Sequence, residues 1–348
     1  MNKGRSKMRR SSLFVLIAIP VLICLLVSLA GVYVLVAPNF KPTENYDLYI
    51  RPETNFNKLC TELKDSANCL NIRSFMLIAN ILKYPNNIKT GHYSIEPGMS
   101  NLDALKMLRR GTQSPVRITF NNIRLPRDLA NRLGEQLMLD GDDVYSLISD
   151  TNYCTSMGFT PQTIIAIFIP NTYEMYWNVS AETLMQRMKR EYAAFWNDTR
   201  QVQAQKIGLT PVEVSILASI IEEESAATDE YPTIAGLYIN RLRRNIPLQA
   251  DPTVKFAVGD FSLQRILNEH LETDSPYNTY LHTGLPPGPL RIPSITGLEA
   301  VLNFKQHNYL YMCAKEDFSG RHNFATNLAD HNRNAERYRD ALNRRGIR

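Results

Sequence analysis

Residues 216–232 read ILASIIEEESAATDEYP, with Glu222, Glu223 and Glu224 in succession at the end of an apolar run. Adjacent carboxylates ordinarily mark a solvated helix face, so the chemical question is whether one of them turns inward. Thr210, Pro211 and Glu213 suit the N-cap, first and third positions of the preceding helix, where Thr210 and Glu213 can form a capping box. Glu213 thereby has a sufficient structural role. Stepping about 100° per residue from Leu217 places Val214, Ile220, Ile221 and Glu224 on one stripe. Glu222 projects to the opposite side beside Ser215 and Ser219, and Glu223 lies at the edge. A carboxyl on a core-facing stripe resists ionisation, and neighbouring acids push it the same way, which prepares a general acid for neutral pH. The competing reading is a helix that frays after Ile221 and leaves all three acids in water.

Other chemistries find less support. No CxxC or HExxH spacing occurs and the histidines are scattered, so no metal site and no other cofactor is expected. Cys60 and Cys69 flank TELKDSAN and could close a small loop, a pairing that spacing alone leaves open. The net charge of +5 sits largely at the two ends, on Lys3, Arg5, Lys7, Arg9 and Arg10 and on Arg344, Arg345 and Arg348. That distribution excludes a case for nucleic acid.

The elements that must position Glu224 follow from pattern. Ser180 opens a long amphipathic helix with Glu182 in its first turn, and DEYPTIAGLYINRLRRN makes another, acidic at its start and with Arg241, Arg243 and Arg244 at its end. From Asn245 to Pro293, Pro, Gly, Asn, Tyr and Thr dominate; the runs DPTV, SPYNTY and GLPPGPLRIP are expected to hold stiff, non-helical paths. Upstream, FNKLCTEL and IRSFMLIANILKY are amphipathic at helical spacing, KTGHYSIEP reads as a strand, and SNLDALKMLRRG as a helix capped by Ser100 and stopped by Gly111. PVRITF and LPRDLANRLGEQLML repeat the strand-to-helix order. The apolar, turn-rich stretch 154–170 places the domain boundary near residue 158. The fold class is α+β.

Residues 13–37 carry no charge. At ~1.5 Å per residue such a run can cross a ~30 Å hydrocarbon core, and it is longer than the apolar region of a cleavable signal peptide. The reading is a transmembrane helix at 13–37, a basic cytoplasmic tail at 1–12, a linker at 38–45, and everything beyond it outside the inner membrane.

The second half resembles the endolytic murein transglycosylase (YceG-like) family, through IPNTYEMYW at 169–177, LASIIEEES at 217–225, GLYINRL at 236–242, PLQADPTV at 247–254, SPYNTYLHTGLPPGPLRIPS at 275–294 and HNFATNLADHN at 322–332. The resemblance implies a LysM-like wall-binding region at 46–158 and a YceG-like catalytic domain at 159–348 with long Pro/Gly-rich loops. It assigns the catalytic acid to Glu224, and it sets Glu223 where a lysine is common, so that Glu224 is expected to titrate higher than in relatives. It implies a groove shaped by Asp251, Thr253, Tyr277, Asn278 and Tyr280, with Asn171, Tyr173, His322, Thr326, Asn327 and His331 as further substrate contacts. From the residues themselves, Asp251 also reads as the start of a turn, Tyr280 as core, His331 as a satisfied structural histidine, and NLADHN as a helix start and cap. The implied reaction is non-hydrolytic cleavage of the β-1,4 bond between N-acetylmuramic acid and N-acetylglucosamine in nascent peptidoglycan, leaving a 1,6-anhydro end and terminating strand elongation. The implied partners are the inner membrane and peptidoglycan synthases. A muramidase-type hydrolase using a second acid and a non-catalytic, membrane-anchored wall-binding scaffold are the alternatives.

Overall fold

The computed structural model describes residues 4–346 apart from Asn122 and Gln264, and side chains from residue 16 onward. Lys3, Arg348 and the basic side chains Arg5, Lys7, Arg9 and Arg10 of the expected tail therefore lie outside the described residues.

The chain forms two compact units. The first comprises residues 1–116 and 174–178, the second 117–173 and 179–348. The sequence reading put the boundary near 158, but helices within 117–157 pack with the second unit. The apolar stretch there is partly helical, and Cys154 is buried within it.

The first unit begins with α1 (Gly4–Val36), which keeps Pro20 inside it. Its stretch Leu16–Val36 has a mean hydropathy of 2.7 and no buried share, enough by length and composition to cross a membrane. Then follow β1 (Tyr46–Ile50), α2 (Phe56–Asp65), α3 (Ile72–Ile81), β2 (Gly91–Ile95) and α4 (Asn101–Arg110). β1 and β2 pair antiparallel, with Leu48 opposite Tyr93, and both side chains are fully buried in a core shared with Leu59, Leu63, Phe75 and Leu105. α4 ends as expected: Ser100 Oγ accepts from the Asp103 amide, and Gly111 stops the helix at φ +74°, a conformation glycine adopts without strain. Residues 38–40, at the start of the expected linker 38–45, pack within the first unit. Pro38 bridges to Ser100 and Phe40 to Cys69, Phe40 is fully buried, and Asn39 is a buried hydrogen-bonding hub. Cys60 and Cys69 are both buried and both free thiols.

β3 (Val116–Thr119) pairs with β4 (Thr172–Met175). Between them lie α5 (Pro126–Gln136), α6 (Gly141–Ser149) and α7 (Thr151–Met157). The rest of the second unit is α8 (Ala181–Phe195), α9 (Asp198–Ile207), α10 (Pro211–Glu224), α11 (Tyr231–Arg243), α12 (Asp251–Val258), α13 (Asn268–Leu271), α14 (Ile295–Leu302), the hairpin β5 (Tyr311–Ala314) and β6 (His322–Ala325), and α15 (Leu328–Arg344). Its core centres on α10, α11 and α14, with Leu217, Ile221, Ile234, Leu298 and Val301 fully buried.

One expectation is corrected here and one competing reading falls away. Asp251-Pro252-Thr253-Val254 opens α12, because proline is tolerated in a first helical turn where its missing N–H has no partner to lose. α10 also runs unfrayed through Glu224, with Ser225 leaving it at φ −137°, ψ 139°. The segment 272–294 is, as expected, without helix or strand.

Candidate active site

The capping box that starts α10 is present: Thr210 Oγ1 accepts from the Glu213 amide at 3.3 Å and Glu213 Oε2 accepts from the Thr210 amide at 2.7 Å. The helix is apolar and enclosed on every side, with all residues from Val214 to Ile221 buried, Ser215 and Ser219 included. The sequence phase therefore misjudged what faces Glu222. That carboxylate is not solvated but accepts from the Ser294 amide at 2.8 Å and from Ser294 Oγ, with Arg291 Nε 3.8 Å away. Glu223 bridges two arginines, at 2.6 Å from Arg124 Nη2 and 2.9 Å from Arg291 Nη1.

Glu224 differs in its partner. Its Oε1 accepts a 2.7 Å hydrogen bond from the Tyr238 hydroxyl, and among the described residues no lysine or arginine reaches ion-pair distance. Burial is the first cause of a carboxyl pKa pushed up to about 7; the Asp251 charge adds to it, while the Tyr238 hydrogen bond, Lys255 and Arg241 pull the other way. The expectation that the adjacent acids would raise it is corrected: Glu222 and Glu223 are neutralised by arginines, and the acid that acts on Glu224 is Asp251, distant in sequence.

α11 supplies the opposite wall. Tyr231, Ile234, Tyr238 and Arg241 recur at helical spacing on its buried face. Burial, then the Glu224 charge, holds the Tyr238 hydroxyl protonated far above its ordinary range, so it stays a donor to Glu224. Arg241 donates to the carbonyls of Leu310, Pro247 and Leu248 at 2.6, 2.9 and 2.8 Å, bracing β5 and the chain that leads into α12. Asp251, exposed at the start of α12, accepts 2.6 Å from the Tyr280 hydroxyl. Glu224, Tyr238, Asp251, Tyr280, His322 and His331 line one cleft of ≈ 480 Å³.

His322 is fixed from behind. Glu230, buried between α10 and α11, accepts from the His322 amide at 3.1 Å and sits 3.0 Å from its Nδ1. With Nδ1–H donating to Glu230, Nε2 is the nitrogen left for another partner, and the residue lines the cleft. His331 stacks on Tyr311 with ring centroids 5.3 Å apart, and its buried Nδ1 has no hydrogen-bond partner among the described residues. Burial, then the Arg241 charge, lowers the His331 pKa, keeping the ring neutral near pH 7.

The remaining expected groove residues lie elsewhere in the second unit. Thr253 is fully buried and bonds the Ala250 carbonyl at 2.6 Å and Thr279 Oγ1 at 2.8 Å; Asn278 is fully buried and donates to the carbonyls of Leu271 and Thr273, each at 2.9 Å. Both hold the 245–282 segment in shape rather than line the cleft. Tyr277 packs on Phe256, 4.6 Å between centroids. Tyr173 is buried with its hydroxyl on the Ile169 carbonyl at 2.6 Å, and exposed Asn171 accepts from the next amide. Asn327 caps α15, and Thr326 lines a separate depression beside Tyr309 and Arg333.

Sequence reasoning missed Tyr238, Arg241 and Glu230. The first two were within reach, since the phase argument applied to α10 would have placed both on the inner stripe of α11. Glu230 carried no such signal, because DE before YP reads as an ordinary acidic helix start.

The sequence and the two-unit α+β fold match a known class. The profile of the YceG-like family matches residues 48–337, and the chain belongs to that family. It is 28% identical over 320 residues to the endolytic murein transglycosylase of Bacillus subtilis, covering 80% of this chain and 88% of that protein. It is 27% identical over 312 residues to the endolytic murein transglycosylase of Streptococcus pneumoniae, covering 78% of this chain and 55% of that longer protein. A solved structure of a YceG-like protein from Listeria monocytogenes superposes with a TM-score of 0.54 at 26% identity, covering 83% of this chain and 99% of that one.

Proposed function

We propose that the chain is an endolytic lytic transglycosylase acting on peptidoglycan, with Glu224 as its acid and base. The observation that carries this is the contrast within one helical turn: Glu222 is hydrogen-bonded by Ser294 with Arg291 beside it and Glu223 is bonded to two arginines, whereas Glu224 meets a tyrosine hydroxyl in a cleft and holds its proton to about pH 7. Protonated Glu224 donates to the glycosidic oxygen as the C1 centre becomes oxocarbenium-like. The carboxylate so formed takes the proton of the muramyl 6-hydroxyl as that oxygen bonds to C1, giving a 1,6-anhydro end and returning Glu224 to its protonated form. One carboxyl serves both steps, where hydrolysis would need a second acid for water or a covalent intermediate. Asp251 tunes Glu224 by its charge, and His322 and His331 offer ring nitrogens to sugar hydroxyls.

The wider reading rests on α1 and on the first unit. The apolar length of Leu16–Val36 supports a membrane anchor with the second unit on the outer side. The order β1-α2-α3-β2 with antiparallel pairing supports a LysM-like wall-binding module. An anchored enzyme would meet nascent strands first, which would end their elongation and bring it near peptidoglycan synthases.

Mass spectrometry of uncrosslinked glycan strands incubated with the full chain in detergent, wild type beside Glu224→Gln, tests the core of this reading. Anhydromuramyl ends produced by the wild type alone are expected. Reducing ends would move the assignment to hydrolysis with Asp251 as the second acid, and strand binding without cleavage would favour a scaffold.

A further inference from the structure

α3 is apolar on two sides. Phe75, Ile78 and Ala79 are buried in the core of the first unit, while Leu77 and Ile81, on the other side, are 61% and 70% exposed, and Leu70 just before the helix is 56% exposed. Arg73, Leu77 and Ile81 follow one another at i, i+4 spacing, so they form a single outward stripe. Large apolar side chains exposed together on the second side of a helix mark a surface that meets something other than water.

The neighbourhood says what that is. The Leu70 amide donates to the Asn39 carbonyl at 2.8 Å and the Asn71 amide to Asn39 Oδ1 at 2.9 Å, three residues beyond the end of α1. Asn101 Nδ2 donates both to the Val34 carbonyl, in the last turn of α1, and to Ser74 Oγ in the first turn of α3, each at 3.0 Å. The start of α3 is thus clamped to the last turn of the apolar helix, and its 10 residues extend only ~15 Å from that point. The charge is one-sided as well: no Asp or Glu occurs between Asp65 and Glu96, whereas Arg73, Lys83 and Lys89 are exposed there.

We infer that the outward face of α3, Leu70, Leu77 and Ile81 with Arg73 at its edge, docks into the anionic lipid surface beside the point where α1 leaves the membrane. The inference rests on α1 being a membrane anchor. The leucine and isoleucine side chains enter the boundary between headgroups and acyl chains, and the basic residues meet lipid phosphates. The first unit is then held to the bilayer at two places, by a span and by an interfacial face.

The test uses the full chain in liposomes of phosphatidylethanolamine and phosphatidylglycerol, with and without brominated acyl chains. Single tryptophans are introduced by Val27→Trp within α1, by Leu77→Trp and Ile81→Trp on the stripe, and by Lys58→Trp on exposed α2. The native Trp177 and Trp196, both buried, give a constant background that is subtracted. Positions 27, 77 and 81 are expected to emit blue-shifted light and to lose roughly half of the added emission to brominated chains, with position 58 unaffected. Quenching at 27 with water-like, unquenched emission at 77 and 81 would overturn the inference and leave the anchor standing. Quenching at none of them would remove the anchor and the inference together. Blue-shifted but unquenched emission at 77 and 81 would mean that protein covers the face, and would also overturn it.

Discussion

Glu224 has two neighbours whose effects on its proton oppose each other, and this separates electrostatic tuning from mere packing. Tyr238→Phe removes the hydrogen bond that favours the carboxylate, so the Glu224 pKa rises further and the alkaline limb of the pH–activity profile moves up. Asp251→Asn removes the charge that opposes ionisation, keeps an acceptor for Tyr280, and moves the same limb down. Shifts of the same sign in the two variants would refute the assignment. Stability carries the same signature. The carboxyl titrates near 4.5 in the unfolded chain and near 7 in the folded one. Below 4.5 it is protonated in both states and costs nothing; between 4.5 and 7 the unfolded chain alone releases the proton, so stability falls as pH rises, and the loss is complete above 7. Glu224→Gln should therefore be more stable than wild type at pH 8, by at most about 3 kcal/mol, and melt higher there, with no difference at pH 4. Differential scanning calorimetry of both proteins across that range would measure it.

At the scale of elements, α10 is a buried helix that ends in three carboxylates, and two of them are met by distant partners, Glu222 by Ser294 and Arg291 and Glu223 by Arg124 and Arg291. Removing one partner of a buried pair typically costs ~3–5 kcal/mol, since the other charge stays behind. Arg291→Met should lower the urea midpoint of the second unit accordingly, read from Trp196 fluorescence; an unchanged midpoint would mean that Glu222 and Glu223 find water. The same helix marks how far the sequence was legible. Its start, its capping box and the choice of Glu224 follow from spacing, as do the caps of α4, α8 and α15. These are local facts, decided within a few residues. What surrounds α10 is not local: Ser294 and Arg291 reach Glu222 across about seventy positions, and Arg124 reaches Glu223 across 99. Periodicity sorts residues by face but does not tell which faces are covered, so a helix enclosed all round looked half solvated. DPTV was misread for a related reason, as proline breaks a helix only away from its first turn. Thr253 and Asn278 lie in motif-like runs, yet their side chains are consumed by backbone carbonyls that only the folded loop presents.

For the molecule as a whole, the join between α1 and the first unit matters more than its length. Asn39 Nδ2 lies 2.6 Å from Asn101 Oδ1 and 3.2 Å from the Asn71 carbonyl, and its own side-chain oxygen accepts from the Asn71 amide. Asn39→Ala leaves the buried Asn101 Oδ1 without this donor, at ~1–3 kcal/mol, and releases the Asn71 amide and carbonyl to water. Amide hydrogen exchange at Leu70 and Asn71 should accelerate by tenfold or more in that variant while α2 keeps its protection; equal loss across the unit would mean that Asn39 supports the core rather than the join. Eight residues of slack chain would let a tethered body wander roughly 16 Å from its attachment. With that slack removed, the first unit moves as one piece with the helix that leads into it. On the proposal that α1 anchors the chain, this unit would patrol a sheet of fixed height rather than a volume, and anything it bound would be held at that height.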